Sequence, residues 1–515
     1  MSDPVGALRT AVRADDARPR LCFIIPPSGF LLDERVFMTL GILRVAAVAE
    51  AAGYPVDVLD LSGVNNVDDV LGAYMDAHDT QIFALTATTP QMPAATAITR
   101  SLRRMRPTAR LILGGPHITL VNAAVRQEAK AEREGRAHRA LAALQRDFDT
   151  LVAGDGEEAI FVALEQPQPL IDADDPHSAM FLTNARLSEL PLPARHLVDV
   201  SSYHYQIEGV PAISLIAQLG CPFSCGFCGG RRSAMLRRIR MRSKESVLHE
   251  IRHLHESYGV KGFMLYDDEL NVNKGMVELM NGIADLQSDL GVEFRLRGFI
   301  KAELFEEEQA AAMHRAGFRW ILTGFESGAP RILKNINKKA TRDENTRCVD
   351  IARRHGLKVK ALMSLGHPGE SEETARQTEE WLLETRPDDF DVTIITTYPG
   401  TPYYDDAVPH DSLPGVYTYT YNGDRLHAHE VDYTTQADYY KGDPEGGYRS
   451  FVFTDFLSAE DLVSHRDAIE RRVREALGIA YNPRGASVQY EHSMGQRGIP
   501  ASILRSSDAA GVRRG

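Results

Sequence analysis

Cysteine is scarce. Five in 515 residues are too few for a disulfide framework and point to a reducing compartment, the cytoplasm. No apolar run reaches the about 18 residues of a membrane-spanning helix. Residues 1–20 lack the apolar core of a signal peptide, so no membrane partner is expected. Basic surface is missing too. With 58 Lys and Arg against 71 Asp and Glu the formal net charge is −13, and no basic stripe dominates a segment, which argues against a nucleic-acid partner. Internal repeats and long low-complexity tracts are absent. What remains is the composition of a soluble globular protein, 43% hydrophobic and 25% charged, and the length suggests about three domains.

The few cysteines are not scattered. Cys221, Cys225 and Cys228 fall in SLIAQLGCPFSCGFCGGRR, residues 214–232. The apolar run 213–219 reads as a buried strand broken by Gly220. Three thiols on a loop just past a strand end converge on one metal centre. A structural zinc site wants four ligands, and no fourth cysteine or histidine sits nearby at ligand spacing. An iron–sulfur cluster also usually takes four cysteines; three leave one iron open to an outside ligand. Cys22, in an apolar strand, and Cys348, in a helix, read as core thiols. The basic run 231–242 either faces anionic cofactors or is a solvated loop.

From residue 21 the pattern alternates strand and helix. LCFIIPP, YPVDVLDL, IFALTATT, RLILGGPH and DTLVAGDGEEAI supply five apolar strands. Helices separate them, one of them long and charged over 121–146, which predicts a doubly wound parallel sheet. Ligands of such sheets sit beyond the carboxyl ends of the strands. Ser28, Thr86, Thr88, Gln91, Gly114, Gly115, Pro116, His117, Gly154, Gly156 and Glu157 fall on that rim. Glycine there admits close backbone approach, and small hydroxyls bond a polar tail.

Beyond the cysteines come GFMLYDDEL, EFRLRG, FRWILTGFESG, KVKALMSLGHPGE and DDFDVTIITTYPGTPYY, each preceded by a helix. With the strand before Cys221 they make six, a partial parallel barrel whose functional groups cluster at strand carboxyl ends. From Asp405 the chain turns rich in Tyr, Gly and Asp. VYTYTY suggests a hairpin, 458–477 an amphipathic helix, and the tail from Arg505 disorder. The expected organisation is an N-terminal tail (1–20), a sheet domain (21–165), a linker (166–208), the partial barrel (209–404) and a small α+β C-terminal domain (405–515). His427, His429 and Tyr433 are candidates for substrate contact in that last part.

The C-x3-C-x2-C loop with Phe227 before its last cysteine resembles the cluster loop of radical S-adenosylmethionine (SAM) enzymes. The resemblance implies a 4Fe-4S cluster on the three cysteines, with SAM chelating the open iron and cleaved to a 5′-deoxyadenosyl radical. It implies that Asp267, Asp268 and Glu269 hold the SAM amino group and that Glu326 in GFESG contacts SAM. Gly366, Pro368 and Gly369 in GHPGE resemble the turn near adenine, and Arg297 and Lys338 also occur as in the family. The bland alternatives are a helix cap for 267–269 and a structural ion pair for Arg297.

Beside such a loop, the glycine-rich sheet resembles the cobalamin-binding domain fused to many of these enzymes, and PGTPYY resembles a phrase of their sixth strand. The D-x-H-x-x-G of histidine-ligated cobalamin is missing, since Asp76-Ala77-His78 lies elsewhere and lacks the glycine. The resemblance therefore implies cobalamin without a histidine ligand, with Gln91, Met92 or nothing facing cobalt.

The implied activity is methyl transfer to an unactivated carbon, with methylcobalamin as donor, in secondary metabolism. It would act on a small molecule or peptide and draw electrons from a flavodoxin or ferredoxin. Ring contraction or oxidative cyclisation is the enzymatic alternative, and a non-catalytic cobalamin or iron–sulfur sensor the other.

Overall fold

The computed structural model describes residues 18–31, 34–132, 134–442 and 447–480. Its first unit is a wholly parallel sheet of β1 (Leu21–Ile25), β2 (Val56–Asp60), β3 (Ile82–Thr86), β4 (Arg110–Gly114), β5 (Thr150–Gly154) and β6 (Leu170–Ala173). The order is β2-β1-β3-β4-β5-β6. LCFII is buried along its whole length because helices cover both faces. Phe23, Ala84, Ile112 and Val152 pack with the helix Leu40–Ala51. Cys22, Phe83, Leu85 and Leu111 pack on the other side with the helix Met92–Met105.

Two local readings change. The sheet has a sixth strand, from a segment read as linker; LIDA pairs parallel with β5 but is too short and too polar for periodicity to reveal. The long charged helix is two helices, Pro116–Lys130 and Arg136–Asp147. The Glu128 carboxylate of the first accepts the N–H groups of Gly135 (2.9 Å), Ala137 (3.0 Å) and His138 (3.1 Å) of the second. A buried side chain so meets the unpaired donors of a helix start.

The second unit holds β7 (Gln206–Ile207), β8 (Val210–Leu215), β9 (Gln218–Leu219), β10 (Arg240–Met241), β11 (Gly262–Leu265), β12 (Arg295–Phe299), β13 (Phe318–Glu326), β14 (Lys358–Leu365) and β15 (Asp389–Ile394). Its main sheet runs β15-β14-β13-β12-β11-β8-β7. β8 and β11–β15 are the six parallel strands of the partial barrel, and β7 adds an antiparallel edge. The β9–β10 ribbon stands beside it.

β16 (Val408–Pro409), β17 (Val416–Tyr421), β18 (Asp424–His429) and β19 (Val452–Thr454) form an antiparallel sheet, with the expected hairpin at β17–β18. The helix Ala459–Leu477 covers the open edge at β15. Val392 N–H donates to Glu470 (2.7 Å), and Ile394 N–H donates to the Tyr448 hydroxyl (2.9 Å). Side chains thus occupy donors that would otherwise template another strand.

Two buried charge pairs tie the linker and the first unit to the barrel. Arg195 binds Glu250 (2.7 Å) and the carbonyl of Ser214 (2.8 Å). Asp155, just past β5, pairs with Arg240 on β10 and accepts from Leu182 N–H (2.9 Å). The carboxyl ends of the first sheet therefore face the barrel mouth. Among the described residues, no helix is long and apolar enough to cross a membrane.

Candidate active site

The cysteine loop leaves β9 at Gly220, whose φ is 88° and where a Cβ would collide with the Arg238 carbonyl. Only glycine makes that turn without strain. Cys221 N–H then donates to Leu236 O (2.9 Å), Gly226 N–H to Ile336 O (2.8 Å) and Cys228 N–H to Cys225 O (3.2 Å). Arg237 holds the Phe223 carbonyl (3.2 Å) and Arg231 the Ser224 carbonyl (3.3 Å). Much of the basic run is thus structural: Arg232 pairs with Asp406 (2.6 Å), and Arg242 with Glu250.

Burial pushes the Cys221 thiol up to about 11 and the Cys228 thiol to about 12, and Cys225 is raised as well. Cys221 and Cys228 also feel a nearby thiolate, which opposes ionisation, whereas Lys338 and Lys301 favour it at Cys225. Three thiols in one electrostatic neighbourhood beside two cations suit a centre that needs thiolates. Among the described residues, no three His, Cys, Asp or Glu side chains are gathered as they are around a single metal ion.

The acids after β11 divide their roles. Asp267 accepts from Ala217 N–H (3.0 Å) and Gln218 N–H, and Asp268 accepts from Gly220 N–H (3.0 Å). Both brace the entry to the cysteine loop. The other Asp267 oxygen and Glu269 Oε2 are buried with no hydrogen-bond partner. Burial raises both groups to about 7. Such acceptors fit a cationic ligand group.

Glu326 is held differently. Lys338 Nζ lies 2.9 Å from its Oε1 and the Ser364 hydroxyl donates to its Oε2 at 2.8 Å, so its pKa stays low despite burial. Phe227 packs on the His367 ring (5.4 Å between centroids). Gly366 and Gly369 turn with φ of 87° and 83°, and the Pro368 carbonyl accepts from Asn335 (2.9 Å). Arg297 sits 4% exposed inside the barrel with its guanidinium over Trp320 (5.5 Å).

Two cavities lie at the rim of the first sheet. One of roughly 650 Å³ opens between that rim and the barrel mouth, walled by Phe30, Phe37, Tyr266, Phe299, Tyr398 and Tyr440 among others. The second, roughly 250 Å³, runs down among Phe23, Ile42, Val45, Ile112, Val152 and Ile160. They share Thr39, Gly41, Thr88, Gln91, Pro116 and Ile216. Ser28 lines the first; Thr86, Gly114, Gly115, Gly154, Gly156 and Glu157 line the second. Leu120 lines the larger cavity and packs where a Cβ on Gly229 would be 2.5 Å away, so cavity and cysteine loop touch.

A radical SAM superfamily model matches residues 215–382, and a B12-binding domain model matches residues 34–145. The chain belongs to the cobalamin-dependent radical SAM family. An uncharacterized methyltransferase of Pyrococcus horikoshii is 26% identical over 407 residues, covering 76% of this chain and 84% of the relative. The anaerobic magnesium-protoporphyrin IX monomethyl ester cyclase of Cereibacter sphaeroides is 25% identical over 343 residues, 63% of this chain but only 52% of the relative. The radical SAM methyltransferase TsrM of Kitasatospora setae, solved with cobalamin and a 4Fe-4S cluster bound, superposes with a TM-score of 0.64. It shares 17% identity, and the match covers 89% of this chain and 92% of that one, a likeness of fold.

The family's cofactors are a 4Fe-4S cluster, SAM and cobalamin, and the residues fit them. The radical SAM domain offers three half-buried thiols and two orphaned carboxylate oxygens. The B12-binding domain offers a cavity lined at its mouth by Gly114, Gly115, Gly154 and Gly156, continuous with the larger one toward the barrel. Of the two candidates for facing cobalt, Met92 is in the core, 0% exposed. Gln91 is already engaged, donating to Ser28 Oγ (2.8 Å) and Pro26 O (3.2 Å) and accepting from Thr88 N–H (3.0 Å). His117 lines neither cavity and bonds Thr89 Oγ1 (3.1 Å).

The C-terminal candidates each have partners in the structure. His427 is held by Thr418 (2.9 Å) and Asp455 (3.1 Å), His429 packs by Phe453, and Tyr433 donates to the Thr397 carbonyl (2.8 Å). Residues beyond 480 lie outside the described part. The sequence reading missed Gly41, Ile216 and Ser364. Only Ser364, inside the fifth-strand phrase, carried a signal.

Proposed function

We propose that this chain is a carbon methyltransferase of the cobalamin-dependent radical SAM family. The observation that carries the reading is the larger cavity, bounded on one side by the B12 rim (Ser28, Thr88, Gln91, Pro116) and on the other by the barrel mouth (Tyr266, Phe299, Leu362). Bound here, the cluster and SAM supply one-electron cleavage of the sulfonium, and cobalamin supplies a transferable methyl group.

The chain's own residues bind, orient and exclude water. Cys221, Cys225 and Cys228 hold the cluster as thiolates. The orphaned oxygens of Asp267 and Glu269 would take the SAM ammonium, the low-pKa Glu326 carboxylate would accept hydrogen bonds from SAM, and the Gly366–Gly369 turn would serve the adenine. The smaller cavity, largely apolar but edged by Arg44, Asp155 and Glu157, would take the nucleotide tail of cobalamin, with Gly114, Gly115, Gly154 and Gly156 allowing close approach. Among the described residues, Glu34 is the one charged residue lining the larger cavity, and its carboxylate already accepts from Gly63 N–H (2.9 Å). That wall suits an uncharged, largely apolar part of a small-molecule or peptide substrate. A flavodoxin- or ferredoxin-type donor would supply the electrons in a reducing cytoplasm.

The test is anaerobic reconstitution with SAM, hydroxocobalamin and reductant, followed by mass spectrometry on candidate substrates. Methylated product with S-adenosylhomocysteine and 5′-deoxyadenosine supports the reading. Deoxyadenosine with an unmethylated, oxidised product favours the second reading, cyclisation, which the likeness to the cyclase supports. No deoxyadenosine at all overturns both.

A further inference from the structure

Glu326 is the end of a chain of buried hydrogen bonds whose direction can be worked out atom by atom. The Ser364 hydroxyl donates to Glu326 Oε2 (2.8 Å) and lies 2.7 Å from His367 Nε2. A hydroxyl has one proton. With that proton committed to the carboxylate, Nε2 must carry a hydrogen and donate to Ser364. Burial pushes the His367 pKa down to about 4, so the ring is neutral near pH 7 and Nδ1 is an acceptor. Tyr403 OH, 3.2 Å from Nδ1, is then the donor. Protons point one way, from Tyr403 through His367 and Ser364 to Glu326, whose other oxygen is held by Lys338 (2.9 Å).

Tyr403 does not belong to the barrel strands; it begins the excursion to the C-terminal sheet. Its N–H donates to Gly226 O (3.2 Å), between two cluster cysteines. Its ring fills the space where a Cβ on Gly226 would come within 2.5 Å, and it packs on Tyr419 of β17 (4.8 Å). It is 1% exposed. The ring alone would satisfy packing, and the hydroxyl is what the relay uses.

We propose that Tyr403 is a positioning residue for SAM: through His367 and Ser364 its hydroxyl fixes the Glu326 carboxylate, tying the SAM site to the C-terminal sheet. This rests on the reading of Glu326 as a SAM contact. Without the phenolic donor, His367 Nδ1 is left unpaired, and the ring is free to change tautomer and withdraw its hydrogen bond from Ser364.

The experiment measures SAM dissociation constants by equilibrium dialysis on anaerobically reconstituted full-length protein. The set is wild type, Tyr403→Phe, Ser364→Ala and the double variant, with iron content read in parallel. Tyr403→Phe keeps the ring. It should weaken SAM binding roughly threefold to tenfold with iron content unchanged. In the Ser364→Ala background it should add nothing, because the path is already cut. Unchanged SAM affinity in Tyr403→Phe, losses that multiply in the double variant, or lowered iron content would overturn the relay. Wild-type protein that takes up no SAM would overturn both the relay and the reading beneath it.

Discussion

Glu370, in the turn after β14, is buried at 0% exposure, and among the described residues no cation pairs with it. Its Oε2 accepts from Gly366 N–H (3.1 Å) and its Oε1 from the Thr374 hydroxyl (2.6 Å). Burial outweighs those bonds and raises its pKa from 4.5 to about 7. The folded state thus binds this proton more tightly than the unfolded chain. Its stabilisation is fully present below about pH 4.5 and is lost as pH rises through about 7. A shift of about 2.5 units corresponds to about 3 kcal/mol. Glu370→Gln copies the protonated form, with its carbonyl toward Gly366 N–H and its amide donating to Thr374. Relative to wild type it should therefore gain about 3 kcal/mol between pH 4.5 and 8.5. At about 2.1 cal/mol/K per residue over 515 residues, that gain is about 3 °C in Tm. The assay is thermal unfolding of cofactor-free protein at both pH values. A Tm difference between variant and wild type that does not change with pH, or that turns against the variant at high pH, would refute the argument.

Cys225→Ser should lose the iron and its broad visible absorption after reconstitution yet still take up hydroxocobalamin, because Cys225 lines neither cavity; metal analysis and corrin absorbance check this. Gly41 lines both cavities and a Cβ there meets nothing within 4 Å, so Gly41→Phe should abolish most corrin uptake without lowering Tm. Asp155→Ala leaves the Arg240 guanidinium buried without its carboxylate. It should cost about 3–5 kcal/mol, seen as a lower denaturant midpoint.

The candidate site was legible in the chain where chemistry is packed into short phrases. Three thiols within eight residues, DDE after an apolar strand, and the glycines of GGPH and GDGE reveal their strand-end positions through periodicity and turn residues alone. Legibility failed where partners lie far apart. Nothing near His427 and Tyr433 in sequence shows that Thr418, Asp455 and Thr397 bind them. The missed strand Leu170–Ala173 has four residues, two of them only partly buried, and exists because β5 offers it an edge.

By itself the sequence determined the alternation of strands and helices, the two parallel sheets and the position of the cysteine loop. Those follow from local spacing and backbone preference. Only the tertiary structure decided which polar groups stay unspoken for. Asp267 and Asp268 are neighbours in the chain, yet both turn out to brace the loop, and the orphaned oxygens belong to Asp267 and Glu269. Glu326 gains Ser364, His367 and Tyr403 from segments up to 77 residues away. Hydrogen bonding in a dry interior depends on positions in space, and spacing along the chain does not record it.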